Sequence, residues 1–516
     1  MNTQIPWLTL AVLVPMGAAL LFPFLPGKSA RVARWVALSV ALLDFAILVT
    51  GLWLGYDPQV TGYQLVEQWA WWPQMGWQWA LAVDGLSLPL LVLGALVTTL
   101  AIAAAWRVQH RPRLFYALML LLYGAQLGVF AAKDVLLFFL MWELELVPVY
   151  LLIAIWGGPQ RQYAATKFIL YTALGSVLIL VGGLALANAA GSWDMGVLAQ
   201  YPWPLGLSIA VYLMFFVAFG VKLPVFPLHT WLPFAHSEAS APVSMVLAGV
   251  LLKLGGYGLL RLNVQILPAA HQVLAPMLVV LGVINILYGA LTAYSQDHLK
   301  KRLAYSSISH MGFVLVGLGA FNAWGLQGAL LQMVSHGFIA AALFFLAGIT
   351  YERTHTLAMA ELGGLASAAP RVFALFTTAS FASLALPGMS GFISELSVFL
   401  GLADSLYNVL FKALVLGLTA VGVILTPIYL LDALRRVFYG TTGAATWSGG
   451  DANPRELFIA LSLLVPVLLV GLYPRSISDW FNPATTQLAQ LGARPLMVQR
   501  VVTVDVPTPL LSTMHP

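Results

Sequence analysis

Polar residues interrupt this chain only at intervals, and between them lie runs of about twenty apolar positions. A helix rising about 1.5 Å per residue needs roughly 20 such residues to cross a bilayer core of about 30 Å. The pattern predicts fourteen membrane-spanning helices, near residues 6–25, 32–54, 84–105, 113–131, 134–156, 163–189, 206–236, 241–262, 271–295, 303–320, 325–350, 371–404, 408–439 and 455–474. No stretch alternates with period two, so a transmembrane barrel is not expected. In the first run the basic residues Lys28, Arg31 and Arg34 follow the apolar stretch, which speaks against a cleaved signal peptide.

Two runs are too long and are interrupted. The seventh carries Pro224, Pro227 and Pro233 just after Lys222, and the twelfth carries Pro387, Gly388 and Gly391 ahead of Glu395. Proline withdraws a helical N–H donor and clashes with the preceding turn, so each run should be two half-helices. Each break falls in the fourth span of a group of five. Five is odd, so the two groups should be inverted relative to one another, and paired breaks in such repeats mark a transport site. Residues 1–110 would then hold three helices and, at 57–83, a Trp-rich interfacial hairpin or short amphipathic segment. Residues 111–265 would form the first five-helix repeat and 266–440 the second, inverted one. Residues 441–516 would hold the last helix and a tail that from Asn482 is polar and expected to lie along a partner or be loosely ordered. The fold class is an all-α polytopic membrane protein.

Composition agrees: 60% of the 516 residues are apolar and 8% are charged, against roughly 25% charged in a soluble domain. A water-soluble globule and a disordered chain are both excluded. With no cysteine, disulfides, thiol catalysis and Cys-ligated iron–sulfur clusters are excluded as well. The net charge of +5 comes from scattered basic residues, so it indicates membrane topology rather than nucleic acid. Arg107, Arg111, Arg113, Lys300, Lys301, Arg302, Arg435 and Arg436 all follow odd-numbered spans. Those loops should be cytoplasmic or the equivalent, with both termini outside.

A charge at mid-bilayer costs about 2.5–3.5 kcal/mol on insertion scales, so each one retained there is a candidate for function. Within the spans these are Asp44, Glu143, Glu145, Lys167, Lys222, Lys253, His310, His336, Glu395 and Asp432. Lys222 sits before a helix break, where freed carbonyls can accept its protons. Lys253 lies eleven residues into its span, too deep for a lysine to snorkel out. Glu143 and Glu145 stand about 200° apart around a helix and should face different surroundings. Glu143 is the expected inward partner, with Glu145 either structural or turned toward a neighbour. Lys167 fits an interfacial or a functional role equally. His310 and His336 suit proton relay or hydrogen-bonded structure better than a haem pair. His229, His236 and Glu238 have a loose metal-like spacing, but a gate or loop-ordering role is the stronger expectation. No phosphate loop, dinucleotide fingerprint or Ser–His–Asp order is present.

Five segments carry a resemblance: KDVLLFFLMWELELVPVYLLIAIWGG (133–158), ATKFILYTALGS (165–176), FGVKLPVFPLHTWLPFAHSEASAPVSMVLAGVLLKLGGYGLLR (219–261), LAYSSISHMGF (303–313) and ASLALPGMSGFISELSVFLG (382–401). Together they resemble the antiporter-like proton-pumping subunits of complex I, the chain 4 or M/D type, in the version found in cyanobacteria and chloroplasts. The resemblance implies about 14 helices with two inverted five-helix repeats. It implies a relay with Glu143 as the essential glutamate, Lys222 as the broken-helix lysine, Lys253 as the central lysine, His310 and His336 as linkers, and Glu395 as the last acid. It also implies thylakoid location and partnership with other membrane and peripheral subunits. Those subunits would hold the iron–sulfur clusters and (plasto)quinone, leaving this chain no cofactor. Three alternatives stay open: a multi-subunit sodium/proton antiporter, a cytochrome-like redox subunit, and a structural membrane linker.

Overall fold

The computed structural model describes residues 5–25 and 30–492. Among these, thirteen helices are long and apolar enough to cross a membrane. In chain order they begin with α1 (Trp7–Leu21), α2 (Ala30–Gly55), α3 (Leu88–Ala104) and α4 (Pro112–Ala131). Next come α5a (Val135–Leu144) with α5b (Leu146–Trp156), α6 (Arg161–Ala190), and α7a (Leu205–Lys222) with its short continuation α7b (Leu232–Glu238). Then follow α8 (Ala241–Gln265), α9 (Pro268–Tyr294), α10 (Leu299–Ala320) and α11 (Ala323–Thr354). Where the twelfth run was expected stand two short helices, α12a (Pro370–Ser383) and α12b (Ser390–Ala403). Last come α13 (Val409–Phe438), α14 (Pro454–Leu472) and α15 (Arg475–Gly492).

Local chemistry fixes the helix ends. Asp134 caps α5a by accepting from the Leu137 N–H at 3.0 Å. Asn453 and Glu456 form a reciprocal capping box at the start of α14, satisfying donors that the first turn cannot use internally. Both expected breaks are present, between Lys222 and Leu232 and between Ser383 and Ser390.

Two departures were not anticipated. Span five is also broken, at Glu145, because Pro148 has no N–H to give the Leu144 carbonyl four residues earlier. Span eight widens into π-helical turns at Leu247–Leu251 and Leu259–Gln265, on either side of Lys253. Such turns leave backbone carbonyls misaligned with their usual donors.

The expectations for 57–83 and for the tail are both refined. The first is a β-hairpin, β1 (Gln64–Trp72) paired antiparallel with β2 (Trp77–Val83), so the fold is not purely helical. Glu67 on β1 accepts the N–H groups of Leu8 and Thr9, both at 2.8 Å, and ties the hairpin to α1. The tail is not loose from Asn482. Helix α15 buries Ile477, Phe481, Thr485 and Leu488 at spacings of four, four and three, the stripe of an amphipathic helix. Gln272 of α9 donates to the Leu491 and Gly492 carbonyls at 2.9 and 3.2 Å. The rest of the expected tail, 493–516, lies outside the described residues.

The core is the region around α8, α10 and α11, whose apolar windows are 100%, 94% and 100% buried. Glycines allow the tightest crossings there. A Cβ on Gly255 of α8 would stand 2.6 Å from the Leu223 nitrogen and 2.8 Å from the Phe219 oxygen at the end of α7a. Gly249 and Gly337 bring α8 and α11 together in the same way: a Cβ on either would stand 3.3 or 2.9 Å, respectively, from the other's carbonyl oxygen.

Candidate functional site

Lys222 ends α7a with its side chain 1% exposed, and its ammonium forms an ion pair with Glu145, whose side chain is wholly buried. The sequence expectation is therefore corrected: Glu145, not Glu143, is the carboxylate that meets Lys222. The break at Glu145 is the physical reason, since the angle between two positions on a continuous helix does not say which of them a kinked one turns inward. Glu143 is half-buried, and its Oε1 is buried without a hydrogen-bond partner. The Trp142 ring lies under Lys222 with Nζ 4.9 Å from its centroid, a further favourable contact for a charged amine.

Lys253 comes next, on α8. It is fully buried, and no carboxylate stands within ion-pair distance among the described residues. Its Nζ donates to the Ala248 carbonyl in the widened turn and lies 2.8 Å from His336 Nδ1 on α11. The π-helical turn explains the first contact: it frees a carbonyl on the lysine's own helix. The Gly249–Gly337 crossing explains the second.

From His336 the polar groups continue. The His336 and His310 rings are 5.5 Å apart between centroids. His310 Nδ1 is 3.4 Å from Glu395 Oε1, and His310 Nε2 is 3.1 Å from the Ser383 hydroxyl. Ser383 closes α12a and Glu395 stands on α12b, so the second break delivers both to one imidazole. A cavity lined by His310, His336, Ser335, Ser383, Gly391 and Glu395 is about large enough for one water. Another of similar size adjoins His336, Ser306 and Ser307.

Of the residues expected in the site, the structure joins Lys253, His336, His310 and Glu395 into one chain of contacts. It joins Lys222 to Glu145 in a separate pair. Sequence reading missed the hydroxyl and amide groups between them: Ser335 meets Ser390 at 2.6 Å, and Ser394 bonds Gln332. The only signal was their helical spacing from His336 and Glu395. The remaining candidates lie elsewhere. Lys167 sits over the rings of Tyr163, Tyr171 and Phe234, 4.5 Å from the last. Asp432 binds Arg302 at 2.8 Å at a helix end, and Asp44 is buried on α2.

The histidines do not suit a haem. Rings 5.5 Å apart with nitrogens already directed at Lys253, Ser383 and Glu395 leave space for a water, not a porphyrin. No group of three or more His, Asp or Glu among the described residues could hold a metal ion. His229 stacks on Phe226, His236 stacks on Phe344, and Glu238 accepts the Gln160 N–H, so that trio does not converge.

A second buried pair was also missed. Arg261, at the end of α8, donates to both oxygens of Asp84 at 2.6 and 2.7 Å and also contacts Tyr257 and Gln265. Asp84 lies in the turn before α3. Burial, the largest single influence, would raise its pKa, but the guanidinium and the Ser87 and Leu86 N–H groups together outweigh it and hold the carboxyl below the usual range.

The family described as "NADH:quinone oxidoreductase/Mrp antiporter, TM" matches residues 132–421. The chain is 60% identical over 506 residues to "NAD(P)H-quinone oxidoreductase chain 4 2" of Thermosynechococcus vestitus, covering 97% of this chain and 95% of the relative. It is 56% identical over 501 residues to a chain 4 of Nostoc sp., covering 96% and 93%. Among solved structures it is similar to a chain of respiratory complex I from Thermus thermophilus with bound NADH, with a TM-score of 0.85 at 31% identity, covering 94% and 99%. The Mrp complex from Dietzia sp. has a chain of the same fold, with a TM-score of 0.83 at 21% identity, covering 95% and 99%.

Proposed function

We propose, from the premise that the chain belongs to the family of membrane subunits shared by NADH:quinone oxidoreductases and Mrp antiporters, that its buried polar chain carries protons. The protein is an integral multi-pass membrane subunit of a complex I-type NAD(P)H–quinone oxidoreductase, and it works with other subunits. The observation that carries the proton reading is the run of contacts from Lys253 through His336 and His310 to Glu395 across the buried centre of the chain.

Each group has a role set by its chemistry. Glu145 holds the Lys222 ammonium. Opposite charges about 4 Å apart at an effective dielectric near 20 attract by roughly 4 kcal/mol, so parting them withdraws that support from the charged amine. The proton passes to Lys253 through water, because separate helices exceed direct hydrogen-bond reach. Lys253 hands it to His336 Nδ1. The imidazoles pass it on, each taking a proton on one nitrogen and releasing one from the other, and Glu395 receives it before release. Glu143, two residues from Glu145 across the kink, is the group that feels a neighbouring subunit. The drive arrives from outside this chain, where iron–sulfur clusters and (plasto)quinone belong to partner subunits.

Residues 111–265 and 266–440 act as the two inverted halves, each with its broken helix at the site. The setting we infer is a thylakoid membrane, a reading supported by the cyanobacterial origin of the relatives, with plastoquinone as acceptor and reduced ferredoxin as donor. A sodium/proton antiporter subunit is the second reading, supported by a shared fold but only 21% identity. Lys222→Ala in the whole complex should stop pH-dye-detected pumping while the complex still assembles. Undiminished pumping sinks the proposal, and pumping driven by a sodium gradient without quinone reduction would favour the antiporter.

A further inference from the structure

Outside the relay, a groove of about 710 Å³ runs along the surface between α2, α3 and α14. Its walls are aliphatic and aromatic: Leu38 and Leu42 from α2, Leu100 from α3, Phe458 from α14. At one end stand Trp35, Trp106, Arg107 and Arg455. Arg34 and Arg455 both lie over the Trp106 indole, at 5.3 and 5.7 Å from its centroid. Trp35 meets that ring edge-on at 4.9 Å.

The charge at this end is unbalanced. Arg107 pairs with Glu352 at 2.9 Å, and Glu456 pairs with Arg353 at 2.6 Å while Arg455 reaches the same carboxylate only at 4.0 Å. With Arg34, four guanidinium groups face two carboxylates. All belong to helix ends on the side where basic loops collect, and Trp is the residue enriched at headgroup depth. A positive cluster above an apolar furrow has the polarity of an amphiphile: anion at one end, hydrocarbon at the other.

We propose that this groove binds a membrane lipid with an anionic headgroup. The arginines take the headgroup, the two indoles bracket the glycerol level, and Leu38, Leu42, Leu100 and Phe458 line the upper acyl chain. Charge argues for a lipid over a partner helix: the excess guanidinium groups sit at the helix ends, where an anionic headgroup lies, and the apolar walls begin directly beneath them. The proposal is independent of the relay.

The test uses the whole purified complex, stripped of lipid and titrated with phosphatidylglycerol or with phosphatidylcholine, with retained lipid read by native mass spectrometry. Phosphatidylglycerol should bind more tightly than phosphatidylcholine. The double variant Arg34→Gln/Arg455→Gln should weaken phosphatidylglycerol about fivefold per arginine removed and leave phosphatidylcholine unchanged. Leu42→Trp, which fills the furrow and keeps every arginine, should weaken both lipids. Equal binding of the two lipids by the unaltered complex overturns the proposal, as does full phosphatidylglycerol affinity in the double variant. Loss of a neighbouring subunit rather than of lipid in Leu42→Trp also overturns it, since the groove would then be a protein interface.

Discussion

Replacing Glu145 by Gln probes the ion pair at its most informative atom. The amide keeps the size and a hydrogen-bond acceptor but removes the charge facing Lys222. Both side chains are almost completely removed from solvent, at 1% and 0% exposure, so water does not screen the change. The attraction lost is roughly 4 kcal/mol at an effective dielectric near 20, about three powers of ten in the ratio of closed to parted pair. Removing one member of a buried pair also typically costs about 3–5 kcal/mol of stability. The Trp142 face, 4.9 Å from the amine, returns only about 0.5–2 kcal/mol of that. In proteoliposomes carrying the whole complex, the variant should pump at less than about a tenth of the normal rate by pH-dye quenching. Glu143→Gln, which leaves the pair intact, should keep measurable pumping. Normal pumping in Glu145→Gln together with abolished pumping in Glu143→Gln would refute the reasoning and return the inward role to Glu143.

Other consequences follow from the packing around the site. Pro148→Ala should restore a donor to the Leu144 carbonyl, straighten span five, carry Glu145 away from Lys222, and lower pumping without lowering the amount of assembled complex on native gels. Gly255→Ala would set a methyl 2.6 Å from the Leu223 nitrogen, an overpacking expected to cost about 1–3 kcal/mol and visible as a lower thermal melting point of the complex. Arg261→Leu leaves Asp84 buried without its cation and should cost about 3–5 kcal/mol by the same melt. Because the Asp84 carboxyl is held below its ordinary value, its contribution is present above about pH 4 and lost as pH falls through the folded value. Melts of the unaltered complex should therefore show no Asp84-dependent change between about pH 6 and 8, and a midpoint in that window that Arg261→Leu removes would contradict the assignment.

Much of the architecture was legible because a bilayer leaves few choices. Apolar runs gave the spans, and Pro224 with Pro227 and Pro387 with Gly388 gave the two breaks, since their effect on a helix is local. Lys253 was legible as a deep residue from its distance to either end of the span. The choice between Glu143 and Glu145 was not, because it depends on a third break. Pro148 signalled that break, but its consequence falls on the carbonyl four residues back. The π-helical turns around Lys253 carry no proline; the first packs against α3 and α11 and the second, which holds Arg261, against α7a and α9, and no single segment encodes such packing. Helix α15 could have been found: Ile477, Phe481, Thr485 and Leu488 recur every three or four residues, but the polarity of the intervening positions hid the stripe.

The central claim is that protons cross through Lys253 and His336 rather than merely packing around them. It is tested most directly by counting protons moved per electron pair in proteoliposomes of the complex bearing Lys253→Met, with quinone reduction followed in the same sample. The account predicts that electron transfer continues while the proton count falls. An unchanged count at an unchanged electron rate would contradict it.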